Sequence, residues 1–149
     1  INIINTKNNA LIEKLNQLLA DYQIYYQNLR GLHWNIKGHM FFMLHNKYEE
    51  LYDEAAEVVD EIAERILMIG GKPLHTFSDY TKTANLKVVE NVTDGNEGVK
   101  LVLENNRSLL SSFYAILELA EDDEGTSAFM SDLIGATEKR IWMLESYLA

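Results

Sequence analysis

The chain has 149 residues, of which 47% are hydrophobic, so it is long enough for one domain with a substantial buried core. Its 13 basic and 23 acidic side chains give a formal net charge of -10 at pH 7, a balance that repels nucleic acid and attracts cations. The absence of cysteine excludes disulfides, thiolate metal sites and cysteine nucleophiles. Because the sequence has neither an apolar run of membrane-spanning length nor the layout of a signal peptide, we expect a cytoplasmic protein.

The spacing of apolar residues predicts long helices, and the chain contains a single proline. The first helix is predicted from about residue 5 or 6 to residue 36, after which Gly38 interrupts the pattern. The second is predicted from about residue 40 to residue 69, and it ends at Gly70 and Gly71, shortly before Pro73.

Residues 74–95 read as a long connection with one short helix at about 76–80, which lets the third helix cross over. Asp94 is predicted to cap the third helix, and Thr126 or Ser127 to cap the fourth. The candidate apolar positions of the fourth helix are Phe129, Leu133, Ala136, Ile141, Met143, Leu144 and Leu148. These elements predict an all-α, ferritin-like four-helix bundle in which residues 1–149 form a single domain.

Two pairs of potential metal ligands lie four residues apart on the second helix, His45 with Glu49 and Asp60 with Glu64. Residues at this spacing share a helix face, so each pair is close enough to bind one cation. Each pair alone has an ordinary alternative as solvated surface, and His33 alone has one as a capping or core residue. Imidazole and carboxylate groups without sulfur suit iron or another divalent metal that prefers nitrogen and oxygen.

The length of the second helix places the two pairs in different sites. At about 1.5 Å per residue, Asp60 lies roughly 22 Å along the helix from His45, too far to share a metal. If two copies cross antiparallel about a two-fold axis, His45 faces Glu64 and Glu49 faces Asp60, with the small Ala55 near the centre. No Glu-x-x-His, the pattern of a di-iron site inside one bundle, occurs in the chain. We therefore predict metal sites shared between subunits.

These residues resemble a known family, the Dps proteins or mini-ferritins (DNA-binding proteins from starved cells). The first family motif combines a histidine, an aromatic, an aliphatic and a glycine with a later aliphatic-His pair and an acid. Residues 33–49 match it, with Glu as the acid. The second motif, an aliphatic-Asp-x-aliphatic-Ala-Glu-Arg run that ends in Gly and Pro, is matched by residues 59–73. Two long motifs in order make the resemblance specific.

The resemblance implies a hollow dodecameric shell with ferroxidase sites at its two-fold interfaces. His33, His45 and Glu49 would come from one subunit, and Asp60 and Glu64 from its partner. It also implies that Fe(II) is oxidised there, preferably by hydrogen peroxide rather than dioxygen, and stored inside as ferric mineral, which protects against oxidative damage. Many relatives carry Asp where this chain has Glu49, so the occupancy of a second iron position stays open.

Four further residues near these motifs have two interpretations each. His39 is either an outer ligand or a solvated loop residue. Trp34, Tyr48 and Tyr52 are either acceptors of stray oxidising equivalents or simply core aromatics at helical spacing.

An acidic group at the junction of the last two helices is a candidate for iron entry. In shells of this family the corresponding junction surrounds the three-fold pores, where acidic side chains would concentrate cations. The alternative is a dispersed surface charge, and the sequence does not say which residue would line a pore. The candidates are Asp122, Asp123, Glu124 and Asp132.

Direct DNA binding is not expected, because the N-terminus offers only Lys7 and Lys14 among neutral residues. Two rival hypotheses remain at this level. One is a non-enzymatic, DNA-condensing shell with a structural metal site. The other is a plain helical interaction module in which the ligand pairs are fortuitous.

Overall fold

The structure, a computed structural model, describes the backbone of residues 3–149 and the side chains from residue 8 onward. It contains five helices and, within the described range, no strand. The predicted start of the first helix at residue 5 or 6 lies where no side chain is described. The helices are α1 (Ile3–Asn35), α2 (Phe41–Met68), α3 (Phe77–Thr83), α4 (Gly95–Leu119) and α5 (Glu124–Leu148).

The four long helices form two hairpins, α1 with α2 and α4 with α5, and α1 packs on α4 to join them. Their apolar faces form one continuous core, in which Leu15, Leu29, Ile62, Phe113 and Ile116 are fully buried. The prediction of an all-α, ferritin-like bundle with a crossover is confirmed. None of the described helices is long and apolar enough to cross a bilayer.

Polar side chains of α1 hold the crossover between α2 and α4 against the bundle. Asn16 Oδ1 accepts a hydrogen bond from the Leu74 backbone N–H at 2.8 Å. Asp21 Oδ1, which is buried, accepts two more, from the backbone of residues 85 and 86 at 2.6 and 2.9 Å. Asn28 Oδ1 accepts another from the Val89 N–H at 2.9 Å. These bonds satisfy backbone groups of an otherwise irregular segment, and the short helix α3 in it packs on α1.

The helix caps agree with the sequence at α4 and differ at α5. Asp94 caps α4, since its carboxylate accepts a hydrogen bond from the Glu97 N–H at 2.9 Å. The prediction that Thr126 or Ser127 caps the last helix is wrong. Asp123 is the cap, and its carboxylate accepts from the backbone N–H of Thr126 at 3.1 Å and from its hydroxyl at 2.7 Å. Thr126 thus occupies the third position of a helix that starts about one turn earlier than predicted, with its N–H bonded to the cap.

The packing of α5 on α2 is the second departure from the predicted core. Ala136 and Met143 were expected to be buried, and both are exposed. They border a groove between α2 and α5, because these two helices do not pack closely against each other. The bundle therefore has three closed seams and one open one.

Candidate metal centre

The C-terminal end of α1 and the first turns of α2 bring three potential ligands together. His33, His45 and Glu49 each place a ligand atom within 4.8 Å of the other two. The His33 Nε2 atom lies 3.7 Å from Glu49 Oε1. Gly38, with a φ of 104°, lets the chain reverse within the short link so that the two histidines meet.

The two imidazoles are oriented by reciprocal hydrogen bonds. His33 Nδ1 donates to the backbone carbonyl of His45 at 2.7 Å, and His45 Nδ1 donates to the carbonyl of His33 at 2.8 Å. Because a carbonyl oxygen only accepts, each Nδ1 must carry the proton, and each neutral ring then has its lone pair on Nε2. The rings also stack, with centroids 3.7 Å apart and planes 15° apart. This arrangement fixes the tautomer that a metal ion requires.

Aromatic side chains pack against the histidine pair on the side that faces the rest of the subunit. Tyr52 contacts His33 edge to face at 5.3 Å between ring centroids, and Phe41 stacks on His45 at 4.9 Å. His33 is buried and His45 is half-buried, whereas Glu49 is exposed. The two histidines are thus held by packing, whereas the side of the cluster that carries the Glu49 carboxylate is open to solvent.

Asp60 and Glu64 do not join this cluster within one chain. Both are exposed on α2, which runs unbroken from the histidine end, so Asp60 is about 22 Å along the helix from His45. His39 is exposed in the link before α2 and is not one of the three clustered ligands. Three of the five predicted ligands meet, and the assignment of all five as metal ligands stays a prediction.

A cation surrounded by aromatic rings lies beside the cluster. The Arg30 guanidinium carbon is 4.8 Å from the ring centroid of Trp34, 5.4 Å from that of Tyr26 and 5.9 Å from that of Tyr52. Trp34 is 56% exposed, so it is not a core aromatic. The sequence carries a signal for part of this group, because residues 26, 30 and 34 share one helix face at four-residue spacing. The approach of Tyr52 from another helix has no such signal.

Tyr48 of α2 is a core residue. Its side chain is 1% exposed, and its hydroxyl is buried without a hydrogen-bond partner in the described structure. The hydroxyl packs against Gly98 of α4, where any Cβ would collide with it. Burial raises the pKa of the Tyr48 hydroxyl, with smaller contributions from Tyr147 and Asp94.

The guanidinium of Arg140 connects the helices in the middle of the bundle. Arg140 of α5 donates to Asn106 Oδ1 at 3.0 Å and to Glu54 Oε2 at 3.2 Å, and Asn106 Nδ2 donates to the Tyr25 hydroxyl at 3.1 Å. This chain of contacts links all four long helices. The Glu54 carboxylate is paired with Arg140, and the described residues form no cluster of potential metal ligands around it, which agrees with the lack of Glu-x-x-His in the sequence.

The four acidic candidates for iron entry have different environments. Asp123 caps α5 and also pairs with Arg65, whose Nη2 lies 2.9 Å from Asp123 Oδ1. Burial opposes ionisation of Asp123, but hydrogen bonds from Thr126 and the charge of Arg65 outweigh it and lower the pKa of the carboxyl. The Asp123 carboxylate is therefore engaged in the helix cap and the ion pair, while Asp122, Glu124 and Asp132 are exposed.

Comparison with known proteins finds relatives that match nearly the whole chain. A ferritin-like domain family matches residues 12–149. A protein described as "DNA protection during starvation protein" from Porphyromonas gingivalis is 42% identical over 139 residues, which cover 92% of this chain and 87% of that protein.

Two solved structures are similar in both sequence and fold. A Dps protein from Vibrio cholerae O1, described as a member of a broad superfamily of ferritin-like diiron-carboxylate proteins, has a TM-score of 0.95 and 44% identity and covers 100% of this chain and 97% of its own. A Dps protein from Bacillus brevis has a TM-score of 0.94 and 33% identity, with 97% and 98% covered.

Proposed function

The chain belongs to the Dps family within the ferritin-like superfamily, and from that premise we propose that it is a ferroxidase that stores iron. Membership in this family supports iron storage and protection in general. Our finer proposal is that Fe(II) is the substrate, that it is oxidised at sites shared by two subunits, and that hydrogen peroxide is the preferred oxidant.

The observation that carries the proposal is the group of His33, His45 and Glu49. Two imidazoles whose Nδ1 atoms are engaged by backbone carbonyls, so that Nε2 is the nitrogen left for a metal, are together with one carboxylate a ligand set that suits Fe(II). Three protein ligands leave coordination positions open, as a site that admits an oxidant must. The exposed position of Glu49 gives the ion a path from solvent to the histidines.

The second half of each site is proposed to come from another copy of the chain. Asp60 and Glu64 are exposed and lie one helical turn apart on α2, so they form a rigid pair of carboxylates. An antiparallel crossing of two α2 helices would bring this pair onto the cluster of the other subunit, and two equivalent sites would result. Each site would then carry three carboxylates, which offset the charge of bound iron.

The proposed reaction balances with a peroxide oxidant. Each Fe(II) loses one electron to become Fe(III), and two such electrons with two protons convert one hydrogen peroxide into two water molecules. With dioxygen, the same donors reduce the oxidant only partly unless more iron takes part. The ferric product would then be hydrolysed and deposited in a closed, dodecameric shell.

Two further parts of the proposal concern cations and DNA. Because Asp123 is paired with Arg65, the exposed Glu124 and Asp132 are better candidates than Asp123 for guiding Fe(II) inward.

The net charge of -10 disfavours phosphate contacts, so protection of DNA would arise from removal of Fe(II) and peroxide rather than from binding.

Complementation between two inactive variants tests the shared site. His45→Ala and Asp60→Ala proteins should each lose oxidation when assembled alone. After dissociation and joint reassembly, one site in each mixed pair regains intact ligands, so random mixing should restore about a quarter of the wild-type sites. Stopped-flow absorbance would follow ferric product formation, with peroxide and dioxygen compared as oxidants.

The matched control is a mixture of His45→Ala with His33→Ala protein, in which every site lacks a histidine and no activity should return. Recovery in this control, or none in properly assembled His45→Ala and Asp60→Ala shells, would contradict the shared-site proposal. A gel shift at low salt in parallel tests the DNA part, and a strong shift by the wild-type protein would contradict it.

A further inference from the structure

The open seam between α2 and α5 forms a groove that the proposed iron chemistry does not use. Its volume is about 820 Å³, within the range of roughly 300–1,000 Å³ that small-molecule sites occupy. The floor is apolar and formed by three helices. It consists of Leu44, Leu51, Val99 and Leu144, all of which are buried side chains.

The rim of the groove is also apolar in part, although it faces solvent. Met43 from α2 and Met143 from α5 are 47% and 44% exposed, and the small side chain of Ala136 leaves the groove open beside them. The apolar pattern of α5 predicted burial for Met143 and Ala136, but no helix of the bundle covers them. An uncovered apolar surface of this kind is typical of a binding site.

The charges around the groove are unevenly balanced. Lys47 pairs with Glu50 at 3.4 Å, and Arg140 pairs with Glu54 at 3.2 Å. The ammonium of Lys139, by contrast, has no hydrogen-bond or ion-pair partner among the described residues. The groove is therefore locally positive on a protein whose net charge is -10.

We propose that this groove binds an amphipathic anion, specifically a medium-chain fatty carboxylate. The lining residues of α2 run from Met43 to Glu54, about 16 Å along the helix, and its two floor residues, Leu44 and Leu51, lie about 10 Å apart, so the groove is elongated and suits an alkyl chain. The carboxylate pairs with Lys139 at the rim. A cationic amphiphile would find no free carboxylate, because Glu50 and Glu54 are already paired.

Calorimetric titration of the assembled protein with dodecanoate, below its micellar concentration, tests the proposal. We expect saturable binding, and binding of dodecyltrimethylammonium weaker by about tenfold or more, because like charges would then meet at the rim. Absence of saturable dodecanoate binding, or equal binding of the two probes, would overturn the proposal.

Three variants locate the binding. Ala136→Phe fills the groove and should abolish dodecanoate binding, and Lys139→Glu should weaken it by about tenfold. Lys87→Glu reverses the charge of an exposed lysine on the crossover, outside the groove, and should leave binding unchanged. Equal binding by Lys139→Glu and Lys87→Glu would contradict the assignment even if the Phe side chain disturbed the seam. Iron oxidation by the same proteins is measured separately, since neither result depends on the other.

Discussion

The two halves of α2 carry the same kinds of potential ligand in very different settings. In the N-terminal half, His45 and Glu49 lie against His33, and the two rings are fixed by carbonyl hydrogen bonds and by stacking. In the C-terminal half, Asp60 and Glu64 are exposed and have no hydrogen-bond or ion-pair partner among the described residues. One half is organised by contacts within the subunit, whereas no described contact within the subunit orders the carboxylates of the other half.

Because of this difference, we expect substitutions in the two halves of α2 to affect folding stability to different extents. Exposed carboxylates without partners add little to the folding of a subunit, and their loss is tolerated on that account. A buried histidine that is stacked and hydrogen-bonded is part of the packing, so its loss disturbs both the site and the fold.

Asp60→Ala should lower the initial rate of Fe(II) oxidation by more than about 100-fold, beyond the 10-fold to 100-fold typical of residues that only support a metal ligand, and change folding stability by less than about 0.5 kcal/mol. Stopped-flow oxidation and thermal unfolding of the assembled protein measure the two effects. Asp53→Ala, which removes an exposed carboxylate from the same helix outside the proposed ligand set, is the matched control. An unchanged oxidation rate in Asp60→Ala would remove the C-terminal half of α2 from the site.

His33→Ala should impair both properties. The imidazole is buried, donates to the carbonyl of His45 and contacts Tyr52, so its loss should cost about 1–3 kcal/mol of folding stability as well as activity. Urea unfolding gives the first quantity and iron oxidation the second. If the stability of His33→Ala equals that of Asp60→Ala, the two halves of α2 are not organised differently.

Gly98→Ala tests how firmly the N-terminal half of α2 is held on α4. The added methyl group would collide with the buried Tyr48 hydroxyl, at an expected cost of about 1–3 kcal/mol. Tyr48→Phe removes that hydroxyl, which has no described partner, and should be close to neutral. In a double-mutant cycle Tyr48→Phe should therefore suppress much of the Gly98→Ala loss. Simple additivity of the two losses would show that the collision is not the cause.

Asp123→Asn should have the smallest effect, and one that depends on pH. Asparagine keeps the cap of α5 but loses the ion pair with Arg65, at a cost of about 1 kcal/mol near pH 7. The folded-state pKa of Asp123 is lowered from 3.8, so the stability from its charge is present above that pH and is lost as pH falls through the folded-state pKa.

Urea midpoints measured at neutral and at acidic pH check this prediction. The gap between wild type and Asp123→Asn should narrow as the pH falls below 3.8 and close once it passes the lower folded-state pKa, because the folded wild-type carboxyl is then neutral as well. Asp123→Ala, which loses the cap too, should retain a gap at every pH. A gap in Asp123→Asn that is independent of pH would mean that the pairing with Arg65 adds no charge-dependent stability.

Much of the fold follows from local patterns. The helices, the stop near Gly70, the crossover with a short helix and the Asp94 cap are set by residues close in sequence, and the structure agrees with each. The cap of the last helix was assigned wrongly because several acceptors adjoin there, and only the three-dimensional contact of Asp123 with Arg65 distinguishes them.

The groove between α2 and α5 cannot be predicted from the spacing of apolar residues. An apolar stripe predicts that a helix face is covered, but it does not say by what. On α5 most of the stripe packs inward, while Met143 and Ala136 face a seam that α2 leaves open. Helix separation depends on all the side chains of the bundle at once, so it has no local signature.

The potential ligand types, their spacing on α2 and the length that keeps the two pairs apart all follow from the sequence, because helix geometry converts residue number directly into distance. Tertiary structure alone decided that His33 reaches His45 and Glu49, that reciprocal carbonyl bonds fix both imidazoles, and that Asp60 and Glu64 stay exposed. These outcomes depend on how α1 and α2 are rotated against each other, and that rotation is set by packing of the whole core rather than by any local run of residues.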